Sequence, residues 1–416
     1  MQVFKQLESN VRYYCNHYPV IFTKGSGCFL EDKTGKKYID FFAGAGALNY
    51  GHNEINIKNA LIKYLEEDGI CHSLDMATLA KERFLKSFNE IILKPRGMNY
   101  KLQFCGPTGT NAIEAALKLA RKVSNRQNII TFTNAFHGAT LGSLSVTGSR
   151  SKRKAAGVSL NNTTFMPYDN YFGKGVDTIQ YIDKYLSDPS SGVEAPAAFI
   201  VETIQAEGGI NTASPNWLKK LYDLAKKHDS LLIIDDIQVG CGRTGSFFSF
   251  ENLGFLPDLI CLSKSLSAYG LPMSLLLIKP DYDIWSPGEH NGTFRGNNLA
   301  FIAATEGLNF WQGKNFETSI KEKSILLDKL LLNLVSKIKD IANLKGRGMI
   351  KGIEFTNNQI ARKVSVACFN NGLILETAGP EDQVIKLLPP LNIDDKPLEQ
   401  GVSILSKCIE EVITSL

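Results

Sequence analysis

A chain of 416 residues, 44% apolar and 21% charged, has the makeup of an ordinary globular protein with room for one large domain and a smaller one attached. It contains no apolar run near the roughly 18–20 residues of a membrane span, so no membrane contact is expected. The formal charge of +4 is small for this size, and the short run Ser151-Lys152-Arg153-Lys154 reads as a solvated loop, which excludes nucleic acid as an expected partner.

The eight cysteines form no C-x-x-C pair, so neither a metal site nor a dithiol motif is expected, and the scatter suits a reducing cytoplasm. No cationic start followed by an apolar block marks a signal peptide. In chain order, Phe4–Tyr14 predicts a short amphipathic segment. Strand-like pieces at Val20–Phe22, Cys28–Leu30 and Tyr38–Phe42, separated by the turn residues Lys24–Gly27 and Asp32–Lys36, predict a small antiparallel sheet. The glycine-rich stretch Ala43–Asn53 is too irregular for a helix. It is either a tight connection or a loop whose backbone lies against a ligand. Helical patterns follow at 54–67 and 76–92.

Lys101–Cys105 predicts a strand, and Gly106-Pro107-Thr108-Gly109-Thr110-Asn111 leads into the strong helix former Ala112–Arg121. Free amides and the positive dipole end at such a helix start bind phosphate; an ordinary N-cap is the alternative. No Gly-Lys-Ser/Thr follows, so this is not a nucleotide P-loop. The strand Asn128–Phe132 runs on to Phe136-His137, where the aromatic either packs in the core or stacks on a flat ligand. Ala197–Val201 closes on the acid Glu202, with Glu207-Gly208-Gly209 soon after. A helix at 215–228 precedes the apolar run Leu231–Ile234, which ends in Asp235-Asp236. Pro257–Leu262 leads to Lys264 between two serines.

Strands alternating with helices from 100 to 280 predict an α/β fold with a mostly parallel central sheet. Residues 281–300 read as a loop and 299–342 as one long helical pattern. Strands near 349–355, 373–376 and 384–388, with helices near 358–371 and 397–414, predict a smaller α+β domain that the N-terminal sheet joins. The expected division is 1–50 and 301–416 for the small domain, built from both termini, and 51–300 for the large one.

Open parallel sheets bind ligands outside the carboxyl ends of their strands. If the strands ending at Asp235 and near Lys264 are neighbours, an acid and an amine converge on one crevice. That is the pair a pyridoxal phosphate enzyme needs. A dinucleotide-binding oxidoreductase is the first rival, because Gly240-Cys241-Gly242-Arg243-Thr244-Gly245 matches G-x-G-x-x-G after a strand. Its glycines need a helix that opens at once, and the aromatic-dense Ser246–Phe250 is wrongly spaced for one. A non-enzymatic α/β protein with a buried, ion-paired Lys264 is the second rival; it would purify colourless. Only a pyridoxal phosphate aminotransferase explains the phosphate-type loop at 106–111, Phe136, Asp235 and Lys264 together.

Taken together and in order, Phe41–His52, Gly106–Ala112, Asp235–Gly245 and Pro287–Asn298 make the chain resemble class III, fold-type I ω-aminotransferases over nearly its whole length. Within them it is most similar to the L-2,4-diaminobutyrate–2-oxoglutarate aminotransferases of ectoine biosynthesis. The resemblance implies fold type I, pyridoxal 5'-phosphate as cofactor, and transfer of an amino group from L-glutamate to L-aspartate 4-semialdehyde. Another class III ω-aminotransferase, acting on a different diamine or a β-amino acid, is the runner-up. Lys264 would bond the cofactor and then shuttle a proton. Asp235 would pair with the pyridine nitrogen, Ile237 and Phe136 would pack on the ring faces, and Gln238 would touch the ring 3-oxygen. Gly109 and Thr110 would hold the phosphate, with His137 and Glu202 completing the cofactor site. Thr293 would reach the phosphate from the neighbouring subunit of a homodimer or higher homo-oligomer. For the substrate, Glu207 matches a glutamate that neutralises a carboxylate-gripping arginine, but the arginine's position is Lys386 here, which cannot make the bidentate fork. Ala139 stands where ornithine and 4-aminobutyrate enzymes carry another arginine, which argues against those two substrates.

Overall fold

The computed structural model describes residues 1–415. Its central sheet has seven strands: β1 (Lys101–Gly106), β2 (Ile129–Phe132), β3 (Thr163–Met166), β4 (Ala198–Val201), β5 (Leu231–Asp235), β6 (Leu259–Leu262) and β7 (Ser274–Ile278). They lie in the order β1-β7-β6-β5-β4-β2-β3. Strands β2 to β6 pair in parallel, and β7 runs antiparallel to both β6 and β1. Every residue of β2, β4, β5, β6 and β7 is buried. That is why these strands read as unbroken apolar runs: a parallel sheet is covered on both faces.

Helix α1 (Gly109–Ser124) supplies part of the cover. It packs against β1, β6 and β7 and buries Ala112, Ile113, Ala115, Ala116, Leu117, Leu119 and Ala120. Pro215–Lys227 starts with proline in its first turn and with Ser214 accepting from the Trp217 amide, then buries Trp217, Leu218, Leu221, Leu224 and Ala225. Register then aligns the strand ends. Asp235 lies beside Cys261, and Ile234 lies beside Val201. Glu202, Asp235 and Lys264 therefore leave three adjacent strands on one side of the sheet.

The two ends of the chain meet. Phe22–Ser26, Phe29–Asp32 and Lys37–Asp40 form an antiparallel set, and Lys37–Asp40 pairs in parallel with Leu373–Ile374. A further antiparallel sheet joins Ala342–Arg347, Ile350–Phe355, Val384–Leu387 and Glu376–Ala378. Three local expectations need correction. The segment 4–14 is not one amphipathic element: Gln2–Leu7 is helical but buries no residue, and the next helix is only Tyr14–His17. With no apolar face to dock, nothing extends the first helix. The pattern 299–342 is two helices, Asn298–Asn309 and Asn315–Ser336, because Trp311 turns inward to donate to the Tyr50 hydroxyl and Gly313 takes a left-handed φ of 77°. Ala342–Arg347 is a strand, not the end of that helix. Among the described residues no helix is long and apolar enough to cross a membrane.

The glycine run after Asp236 is a series of turns, as its spacing required. Gly242 has φ 95°, and a Cβ there would lie 2.7 Å from the Trp311 ring, so the position admits only glycine. Beside it Arg243 is fully buried. Its guanidinium donates to the carbonyls of Met349 (3.1 Å) and Pro389 (2.5 Å) and to Asn49 Oδ1 (2.5 Å), tying three distant segments together. Burial pulls its pKa down to about 9. Arg243→Met should cost about 3 kcal/mol or more, since each buried acceptor left unpaired costs roughly 1–3 kcal/mol. A urea titration checks this; an unchanged midpoint would show that these bonds hold nothing.

Candidate active site

The carboxyl ends of β4, β5 and β6 open on a cavity lined by Gly109, Thr110, Phe136, His137, Glu202, Glu207, Asp235, Ile237, Gln238 and Lys264, together with Gly138, Ile204 and Val239. All but two of the residues singled out in the sequence line this one space. Lys386 lies behind Glu207, and Thr293 lies apart from the cavity in an exposed turn, Thr293–Arg295, where its carbonyl accepts from His72 Nε2 at 2.8 Å.

The adjacent acids Asp235 and Asp236 part company, because successive side chains of a strand point to opposite faces. Asp235 faces the cavity. Its Oδ2 lies 2.7 Å from His137 Nδ1, and its Oδ1 accepts from the Ile237 amide at 3.1 Å. Asp236 turns away to accept from the Ser249 amide at 3.1 Å, and burial pushes its pKa up to about 7. Glu202 accepts from the Phe136 amide at 3.0 Å; burial, then the charge of Asp235, raises its pKa well above the carboxylate range.

Lys264 follows β6 in a left-handed conformation, φ 51°, which a non-glycine residue adopts only when its surroundings enforce it. Among the described residues its amine has no hydrogen bond or ion pair, and the side chain faces the cavity. Burial lowers its pKa against the opposing pull of the Glu207, Glu376 and Asp235 carboxylates. The neighbouring Ser265 Oγ donates to the Gly46 carbonyl (2.7 Å) and accepts from the Asn49 amide (3.0 Å). The Ala43–Asn53 stretch is thus a tight connection, tied to Ser265 and Gln238 beside the cavity. Ala43, Gly44, Ala45 and Gly46 all have positive φ, and the Ala45 carbonyl accepts from Gln238 Nε2 at 2.9 Å.

Helix α1 begins at the cavity with Gly109 and Thr110, whose first-turn amides have no partner inside the helix. A Cβ on Gly109 would stand 2.9 Å from Ile237 Cδ1, so any larger residue there would push on the Ile237 side chain. The Thr110 hydroxyl joins a cluster that the sequence did not announce: its Oγ1 is 2.6 Å from Thr140 Oγ1 and 2.7 Å from Ser143 Oγ, and Thr140 donates to Glu114 at 2.5 Å. These residues lie on two separate segments, and no spacing rule joins them.

At the far wall, Lys386 Nζ stands 2.6 Å from Glu207 Oε1 and 2.8 Å from Glu376 Oε1. Burial would raise the Glu207 carboxyl, but the charges of Lys386 and Lys264 and hydrogen bonds from Lys386 and Gln238 hold it well below its ordinary value. Burial works against the Lys386 charge too, yet the two carboxylates raise its pKa. Glu376 was not foreseen. It faces Lys386 across an antiparallel pair of strands, a neighbour visible only once the register is known.

Chemically, the cavity offers a helix start for an anionic group and the apolar side chains of Phe136 and Ile237 for a flat ring. It also offers a carboxylate and a partly desolvated amine. The profile of the aminotransferase class-III family matches residues 12–409. The diaminobutyrate–2-oxoglutarate transaminase of Halalkalibacterium halodurans is 54% identical over 99% of this chain and 97% of its own length. That of Wolinella succinogenes is 53% identical over the same shares. Among solved structures, the ornithine aminotransferase of Toxoplasma gondii superposes with a TM-score of 0.86 at 26% identity, covering 100% of this chain and 95% of that one. A second structure of it has partial occupancy of pyridoxal phosphate at the active site.

Proposed function

The chain belongs to the class-III aminotransferases and is a pyridoxal phosphate enzyme, and from that premise we propose that it moves an amino group from L-glutamate to L-aspartate 4-semialdehyde, giving L-2,4-diaminobutyrate and 2-oxoglutarate. The observation that carries the chemistry is the convergence of Asp235 and Lys264 from adjacent strands on one cavity. The choice of substrates is supported by whole-length relatives of that name at 51–54% identity.

The residues fit the cofactor. Among the described residues the buried atoms His137 Nε2 and Gln238 Oε1 have no partner, and Gly109 leaves the start of α1 bare. When bound, pyridoxal phosphate supplies an aldehyde carbon that receives the amino group and a ring that accepts electrons. In the proposed mechanism, the first-turn amides at Gly109 and Thr110 hold the phosphate. Phe136 and Ile237 would hold the ring, and Gln238 would offer a hydrogen bond at its edge. Asp235, oriented by His137 and by the Ile237 amide, keeps the pyridine nitrogen protonated. Lys264 Nζ, whose pKa burial lowers, would serve as the positioned base for the proton on the substrate carbon. Glu202 backs the site through the Phe136 amide.

Glu207 and Lys386 are assigned to the substrate. Lys386 offers charge to a carboxylate, and Glu207 covers that charge when the substrate has none to place there. Thr293, remote from its own cavity, is assigned to the phosphate of a second subunit, so the proposal includes a homodimer in the cytoplasm. Assaying amino donors against carbonyl acceptors in pairs tests the substrates. Glutamate with aspartate 4-semialdehyde should be the fastest pair, and no turnover with that aldehyde would reject the assignment. A different diamine or β-amino acid reacting faster would favour the other ω-aminotransferase reading. Exposed Ala139 brings no cation for an ornithine or 4-aminobutyrate carboxylate.

A further inference from the structure

We propose that Glu376 is a specificity-determining residue: it shares the Lys386 ammonium with Glu207 and so limits how tightly the site holds a substrate with two carboxylates. The inference rests on the aminotransferase reading above and names a residue that reading does not use.

The three groups are held in different ways. Glu376 and Lys386 are directly opposed on neighbouring antiparallel strands, Glu376–Ala378 and Val384–Leu387. On its other side Lys386 is opposed by Gly352, which has no side chain to compete for the ammonium. The Glu376–Lys386 pair is thus fixed by a sheet. Glu207 comes instead from the turn after the two-residue strand Ile204–Gln205 and lines the cavity. Side-chain exposure follows the same order: 0% for Lys386, 9% for Glu376 and 26% for Glu207. Only Glu207 stands between the ammonium and an incoming ligand, so it is the partner that can turn aside. Glu376 stays.

The ammonium donates to Glu207, while Glu376 Oε1 stands 2.8 Å away with no hydrogen-bond partner among the described residues, so Glu376 acts on Lys386 through its charge. With both acids ionised, Glu207, Lys386 and Glu376 carry one positive and two negative charges, a net of −1. A second substrate carboxylate entering this end meets that net charge in a partly desolvated setting, where screening by water is weak. Glutamate and 2-oxoglutarate carry two carboxylates; diaminobutyrate and aspartate 4-semialdehyde carry one. Glu376 therefore weakens the hold on the dicarboxylic pair and keeps the same pocket open to the monocarboxylic pair. Burial raises the Glu376 pKa against the pull of Lys386, in line with a carboxyl that the site tolerates at a cost.

The test uses the cofactor-loaded enzyme and two unreactive probes, glutarate with two carboxylates and butyrate with one, titrated by calorimetry. Glu376→Gln removes the charge at nearly constant shape. It should tighten glutarate roughly 5- to 10-fold, about the effect of removing one poorly screened repulsion, and leave butyrate within about twofold. Glu376→Asp, which keeps the charge, should stay near the wild type. Glu376→Met, similar in length and uncharged, gives the same comparison if the glutamine variant does not fold. Unchanged or weaker glutarate binding, or equal tightening of both probes, would overturn the proposal. Neither probe reacts, so the result is independent of which amino donor the enzyme uses: a wild type inert toward aspartate 4-semialdehyde would strike the substrate assignment and leave this comparison readable.

Discussion

Lys264→Ala is expected to lower the transamination rate by at least about 10³-fold while the protein still folds and binds pyridoxal phosphate non-covalently. The size follows from losing two functions at one atom. In the proposed mechanism the amine is both the group that bonds the cofactor and the positioned acid–base, and the second function alone is worth roughly 10²–10⁴-fold. The fold should survive because the Lys264 amine makes no hydrogen bond or ion pair among the described residues, so truncation orphans no partner. The surrounding contacts, such as Ser265 to Gly46 and Asn49, stay in place. Addition of a small primary amine should restore part of the rate. Single-turnover kinetics with glutamate, read beside a thermal melt, check both halves. A variant that keeps more than a tenth of the wild-type rate would refute the assignment of Lys264.

Asp235→Asn is expected to lower kcat by on the order of 10²–10³-fold, the usual consequence of removing one preorganised electrostatic contact. The variant keeps the shape and can still accept from the Ile237 amide, but it loses the negative charge opposite the pyridine nitrogen and beside His137 Nδ1. The neighbouring position is the control. Asp236 points to Ser249, and its pKa of about 7 leaves it largely without charge in acid solution, so Asp236→Asn should change kcat far less. Equal losses in the two variants would show that the two faces of the strand end are not distinguished by function.

What the residues announced in advance and what they did not divide along physical lines. Leu231–Asp235 and Leu259–Leu262 were legible because a strand buried on both faces must be an unbroken apolar run, and the ends of such strands are where polar groups can appear. The start of α1 was legible because glycine and threonine before an alanine-rich helix have a local meaning that does not depend on the rest of the fold. The antiparallel β7 was not distinguished from its parallel neighbours, since burial on both faces erases the alternation that marks strand direction and edge. The break at Trp311–Gly313 was hidden by apolar residues that continue the helical spacing but are used to reach Tyr50 instead. Glu376 and the Thr110–Thr140–Ser143 cluster depend on register and on two loops meeting, which no single stretch encodes. The glycine run Gly240–Gly245 shows the converse. It matches a nucleotide motif letter by letter, yet its glycines serve the close approach of Trp311 and the turns around Arg243.

The proposed chemistry depends on Lys264 and Asp235 meeting around pyridoxal phosphate. Reduction of the cofactor-loaded enzyme with borohydride, followed by digestion and mass spectrometry of the peptides, tests it most directly. One reduced cofactor per chain is expected, attached to the peptide containing Ser263-Lys264-Ser265. Attachment at any other lysine, or no attachment in an active preparation, would contradict it.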